Sequence, residues 1–151
     1  MQLKFETEVS EKKSPKAYCN WDEVESLTRT IADKIRRSKN KEYDAILAIT
    51  RGGIIPARLM ARELGINYIQ LIPVRDKKLY IEEMPVLHKG KKYLVIDEIY
   101  DTGDTFYKVH EAVKIFDCDF AFLMSRYDHN NRGTYIGKIL NHNKWIVFPW
   151  E

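Results

Sequence analysis

A chain of 151 residues, 44% hydrophobic and 31% charged, has the apolar material for one core and is short for two, and this composition describes a soluble globular protein and not a disordered one. A formal net charge of +3 is too small to argue for nucleic acid. No apolar run reaches membrane-span length and no signal-peptide core opens the chain, so the expected setting is the cytoplasm, with neither nucleic-acid nor membrane partners.

In chain order, Leu3–Val9 alternates like a half-exposed edge strand, and Ser10–Lys16, with Pro15, reads as a linker. Asn20 can cap a helix beginning at Trp21, with Glu23 reaching back to complete a capping box. Val24, Leu27, Ile31 and Ile35 then form its buried stripe. The basic cluster Lys34, Arg36, Arg37, Lys39 and Lys41 closes that helix and reads as a solvated face favoured by the helix dipole. Cys19 and Cys118 stand far apart without a Cys-x-x-Cys pairing, which argues against disulfide and zinc frameworks, and Cys118 reads as a small buried residue.

Tyr43–Ile49 is an apolar strand. It leads into Thr50-Arg51-Gly52-Gly53 and a helix from about Ile54 to Leu64, with Pro56 suited to the first turn and Gly65 to the C-cap. Paired glycines let backbone approach a ligand closely and Arg51 can supply charge, a pattern suited to an anion. Ile66–Pro73 reads as a further strand and Val74–Gly90 as a polar stretch of poor periodicity.

Tyr93–Ile96 is an unbroken apolar run, as in a strand buried on both faces of a parallel sheet. Asp97 and Glu98 are placed where that strand ends, an edge at which two acids suit sugar hydroxyls or a hard cation. Asp101-Thr102-Gly103-Asp104-Thr105 then offers hydroxyls, a permissive glycine and successive backbone N–H groups at a helix start. Thr105–Phe116 reads as an amphipathic helix, Asp119–Ser125 as a strand with Arg126 at its carboxyl edge, and Tyr127–Asn143 as a polar loop containing Asn-Asn-Arg-Gly at 130–133. The chain closes on Trp145-Ile146-Val147-Phe148-Pro149-Trp150-Glu151. Strands near 43, 66, 93 and 119, separated by helices or a long loop, point to a parallel α/β sheet. The four histidines share no metal spacing, and neither a P-loop nor a Gly-x-Gly-x-x-Gly turn occurs.

Four apolar positions, two acids, two more residues and then an acid followed by Thr-Gly-x-Thr resemble the signature of the type I phosphoribosyltransferases, which bind 5-phosphoribosyl-1-pyrophosphate (PRPP). The C-terminal Trp145-Ile146-x-x-Pro149-Trp150 followed by an acid resembles the hood of the bacterial xanthine-guanine branch. With Tyr18–Asp22 at the other end, the resemblance spans nearly the whole chain.

It implies a single-domain α/β type I phosphoribosyltransferase fold over residues 1–151, a mostly parallel central sheet flanked by helices, and a small hood from about 126–151 and the N-terminal segment. It implies transfer of the phosphoribosyl group from PRPP to an oxopurine (guanine, xanthine or hypoxanthine), giving a nucleoside monophosphate and pyrophosphate in purine salvage. Thr50, Arg51, Gly52 and Gly53 would hold pyrophosphate, and Asp101, Thr102, Gly103, Asp104 and Thr105 the 5′-phosphate. Asp97 and Glu98 would orient ribose hydroxyls directly or through Mg²⁺. Asp101 would move the purine proton, and Arg126, Trp145, Ile146 and Glu151 would dock the base. The 74–90 stretch would be a mobile loop or hairpin over the substrate, and the subunits would pair as a homodimer or homotetramer. Asp104 departs from the pattern: a carboxylate beside a phosphate repels by roughly 1 kcal/mol at short range, so it turns outward or weakens the grip, or the ligand differs. A PRPP-sensing regulator of the same fold, or a transferase for a non-purine base, are the alternatives.

Overall fold

The computed structural model describes residues 15–38, 42–129 and 131–151. The strand expected over Leu3–Val9, most of the linker after it, and Lys39, Lys41 and Asn130 lie outside these residues.

Strand β1 (Lys16–Tyr18) precedes helix α1 (Trp21–Arg37), which starts as its sequence dictates: the Asn20 Oδ1 accepts from the Glu23 N–H at 2.9 Å. The reciprocal half of the capping box does not form, because the Glu23 carboxylate is drawn to Lys138 Nζ at 3.2 Å. Val24, Leu27, Ile31 and Ile35 are buried, each worth roughly 2 kcal/mol of apolar transfer. The basic last turn is not wholly solvated: Lys34 Nζ donates to the Ile136 carbonyl at 2.7 Å.

β2 (Ala45–Ile49) is buried along its whole length, and α2 (Ile54–Leu64) follows it. Gly65 closes α2 in the left-handed conformation (φ 68°), with its N–H returned to the Ala61 carbonyl, as a C-terminal glycine cap requires. β3 (Ile69–Ile72) leads to a hairpin of β4 (Val74–Arg75) and β5 (Lys78–Leu79), turned by Asp76 and Lys77 at positive φ. Arg75 braces that hairpin, lying over the Tyr80 ring and paired with Glu83 at 3.0 and 2.7 Å.

β6 (Lys92–Tyr100) runs past the expected end at Ile96, so Asp97 and Glu98 lie within the strand and not after it. Ile99 and Tyr100 continue the pairing, opposite Met124 and Ser125 of β7 (Asp117–Ser125). Helix α3 (Asp104–Val113) begins one residue before and stops three before the expected bounds, leaving Phe116 outside it. The segment read as a polar loop contains β8 (Thr134–Ile139), which pairs parallel with β7. Gly137 disguises it: a Cβ there would fall 2.5 Å from the Leu123 carbonyl and 3.2 Å from Leu27, so helix and sheet approach too closely for a side chain.

The main sheet is parallel throughout, in the order β3-β2-β6-β7-β8. α1 and α2 cover one face and α3 the other, each against its own apolar layer. A second, two-stranded parallel sheet joins β1 to β9 (Trp145–Val147), uniting the first and last described segments. Among the described residues no helix is long and apolar enough to cross a membrane. The thiols of Cys19 (buried) and Cys118 (half-buried) are free, and burial pushes them up to about 11 and about 12, so neither is a reactive thiolate at neutral pH.

Candidate active site

Because β2 and β6 are adjacent and parallel, the turns that follow them open on the same rim of the sheet. After β2, the Thr50–Arg51 peptide is cis. A Cβ on Gly52 would run into the Glu98 carboxylate, and one on Gly53 would meet the carbonyls of Ile96 and Ile49; only glycines let this turn press against β6. After β6, Gly103 takes φ 94° and starts α3, which places its free N–H groups at the rim.

Three hollows run along this rim and share walls. The first, of about 810 Å³, is lined by Arg51, Gly52, Asp97, Glu98, Thr105 and the hairpin's Lys77, among others. The second, of about 180 Å³, shares Asp97, Glu98 and Thr105 with it and adds Asp101, Thr102 and Gly103. The third, of about 440 Å³, shares Asp101 with the second and is walled by Arg126, Tyr127, Asn141, His142 and Trp145. Of the motif at 101–105, only Asp104 lines none of the three.

Asp97 is held well above the usual carboxylate range by burial, offset in part by the Glu98 N–H at 2.8 Å. Glu98 is pushed up to about 7 by burial and by the charge of Glu151, against the opposing pull of the Trp150 indole N–H at 3.2 Å. Neither acid is paired with a cation among the described residues. The rim therefore presents two half-buried carboxyl groups suited to a proton, a hydroxyl or a hard cation. No group of three or more metal-binding side chains occurs among the described residues.

The Thr50 hydroxyl is occupied in the scaffold: it contacts the Ile72 and Val74 carbonyls at 3.1 Å and accepts from the Val74 N–H at 3.0 Å. Thr102 Oγ1 accepts from the Asp104 N–H at 3.3 Å. Arg126 also differs from the sequence reading. Its Nε lies 3.3 Å from Asp101 Oδ1, while Nη1 and Nη2 donate to the carbonyls of His142 and Lys144 at 2.9 and 2.8 Å. Three of the five guanidinium N–H groups thus brace the wall of the third hollow, which Arg126 also lines.

Trp145 stands 58% exposed at the third hollow, an open aromatic face. The Ile146 side chain is buried in the core. Trp145 donates its N–H to Pro15 and Val147 accepts from Cys19 across the β1–β9 pair, so by the alternation of a parallel ladder the N–H and C=O of Ile146 point away from β1. Glu151 does not line the third hollow; its charge acts on Glu98. Sequence reasoning missed Trp150, Tyr127 and His142 as parts of the rim. Trp150 stacks on Phe148 at 5.0 Å while its indole reaches Glu98, and the run of C-terminal aromatics was the available signal.

Residues 16–151 match the phosphoribosyl transferase domain family. The chain belongs to the phosphoribosyltransferase family. It is 26% identical over 142 residues to a xanthine-guanine phosphoribosyltransferase of Idiomarina loihiensis, covering 89% of this chain and 86% of that one. Among solved structures, the purine phosphoribosyltransferase of Pyrococcus horikoshii is 30% identical, with TM-score 0.69 and coverage of 90% and 93%. A xanthine-guanine-hypoxanthine phosphoribosyltransferase of Helicobacter pylori shares the fold at 18% identity, with TM-score 0.73 and coverage of 90% and 93%. The five-stranded parallel sheet between helices is the type I phosphoribosyltransferase fold.

The raised Glu98 gives this phosphoribosyltransferase a testable pH dependence. A carboxyl whose folded-state pKa exceeds its unfolded value binds its proton more tightly when folded, so its stabilisation is complete below the ordinary carboxylate range and is lost as pH rises to about 7. Without ligand, the urea midpoint should fall between pH 5 and pH 8. Glu98→Gln should flatten that fall by up to about 3 kcal/mol, at about 1.4 kcal/mol per pKa unit. An equally steep profile in the variant would assign the effect to another group.

Proposed function

We propose that this phosphoribosyltransferase moves the 5-phosphoribosyl group of PRPP onto a ring nitrogen of an oxopurine and releases pyrophosphate, as in purine salvage. The observation that supports it best is the row of three hollows with shared walls: two anion-suited turns flank a pair of acids, and an aromatic-walled hollow adjoins them. The backbone N–H groups at the start of α3, with the Thr102 and Thr105 hydroxyls, take the 5′-phosphate. The turn at Arg51 and Gly52 takes the pyrophosphate, Arg51 supplying charge, while Thr50 and Gly53 hold the turn in place, the Thr50 hydroxyl and N–H being committed to β3 and β4 and the Gly53 N–H to Ile49.

Asp97 and Glu98 orient the ribose hydroxyls. Two half-buried carboxylates beside a phosphate-suited turn also fit Mg²⁺, which takes one or two carboxylates together with substrate oxygens; bound there, it would neutralise the leaving pyrophosphate. The anomeric carbon turns cationic as that group departs, so the chain contributes mainly positioning and electrostatics. Asp101, at the boundary of the second and third hollows, accepts the purine proton. Trp145 stacks on the ring, and the outward N–H and C=O of Ile146 read its edge.

The test is PRPP-dependent conversion of guanine, xanthine, hypoxanthine, adenine, uracil and orotate. Turnover confined to the oxopurines is expected. Turnover of none with PRPP still bound would put a PRPP sensor in its place, and conversion of uracil or orotate a pyrimidine enzyme.

A further inference from the structure

An oxopurine in the third hollow presents an oxo oxygen that needs a hydrogen-bond donor, and at the carboxyl end of β7 the Ser125 hydroxyl and three of the five N–H groups of Arg126 are already committed. Arg126, whose side chain is only 13% exposed, is divided among Asp101, His142 and Lys144. Ser125 is buried, and its hydroxyl donates to the Tyr127 carbonyl at 2.7 Å and accepts from the Tyr127 N–H at 3.0 Å.

The two carbonyls that Arg126 holds belong to the 142–144 segment, and His142 lines the hollow. The Lys144 N–H donates to His142 Nδ1 at 3.1 Å, so in the neutral ring the proton sits on Nε2. That Nε2–H has no partner among the described residues. Backbone and ring are thus both fixed before any ligand arrives, which removes the ordering cost that a loose side chain carries. Asn141 and Asn143, also at the hollow, are exposed, and no side-chain bond fixes them.

We infer that His142 is the side chain that reads the base here, donating from Nε2 to its oxo oxygen, and that Arg126 is the positioning residue that holds His142 in place. The inference rests on the oxopurine reading above.

The test uses the full chain with PRPP and hypoxanthine. His142→Leu should raise KM for hypoxanthine about tenfold, the scale of one neutral hydrogen bond, with KM for PRPP within about twofold. His142→Gln, which keeps an N–H donor, should recover most of the loss. Arg126→Lys cannot span Asp101 and both carbonyls. It should also raise KM for hypoxanthine, and combining it with His142→Leu should add little further, because both changes remove one contact.

A hypoxanthine KM within twofold of wild type in His142→Leu would overturn the inference. So would fully additive effects of the two changes, or equal rises in both KM values. Wild-type protein that binds PRPP but converts no oxopurine would sink the functional reading first, before any variant is made, and the inference with it.

Discussion

Asp101→Asn should lower turnover by roughly 10²- to 10⁴-fold, the range ascribed to a positioned general base, with PRPP binding expected within a few-fold of wild type. The substitution is nearly isosteric. Asn retains an oxygen for the Arg126 Nε, now 3.3 Å from Asp101 Oδ1, so the wall of the third hollow keeps its brace. What it removes is basicity at the one residue shared by the second and third hollows. Steady-state kcat set beside a calorimetric PRPP affinity checks this. Equal loss in both would mean that Asp101 serves binding and not proton transfer.

Gly53→Ala is the second large effect, and it falls on stability. The new Cβ would meet the Ile96 and Ile49 carbonyl oxygens, both main-chain atoms of buried strand residues. The Gly53 N–H already donates to the Ile49 carbonyl at 2.8 Å, and the Gly53 carbonyl accepts from the Ala57 N–H at 2.9 Å, so the turn cannot back away without breaking the start of α2. A loss of roughly 3 kcal/mol is expected, at the upper end for overpacking. Gly65→Ala is the control. Nothing lies within 4 Å of its Cβ position, so only the left-handed backbone is penalised, by about 1 kcal/mol. Urea denaturation of both variants decides; similar losses would show that the contact of Gly53 with the strands is not what matters.

The parts of the fold legible in the sequence were those carried by local chemistry. Asn20, Pro56 and Gly65 mark helix ends through their own backbone preferences, and the apolar runs around Leu47 and Val95 mark strands buried on both faces. β8 was not legible, because its one apolar layer is broken by Gly137, whose need arises from Leu27 and Leu123 far along the chain. The two anion-suited turns could be read because each is a short contiguous pattern. The employment of Arg126 could not: its partners are the carbonyls of residues 16 and 18 positions away, and a carbonyl leaves no trace in residue identity. The hydroxyl of Thr50 was hidden likewise, its partners being backbone atoms of residues 72 and 74.

The contact between Trp150 and Glu98 ties the far end of the polypeptide to the middle of the sheet rim. The indole occupies one lone pair of Oε2, which fixes the carboxylate plane and leaves Oε1 as the oxygen open to an incoming hydroxyl. Truncation before Trp150 would release that oxygen and the orientation it imposes. The polarity sensed by that indole makes its emission wavelength a built-in gauge of whether the rim is occupied.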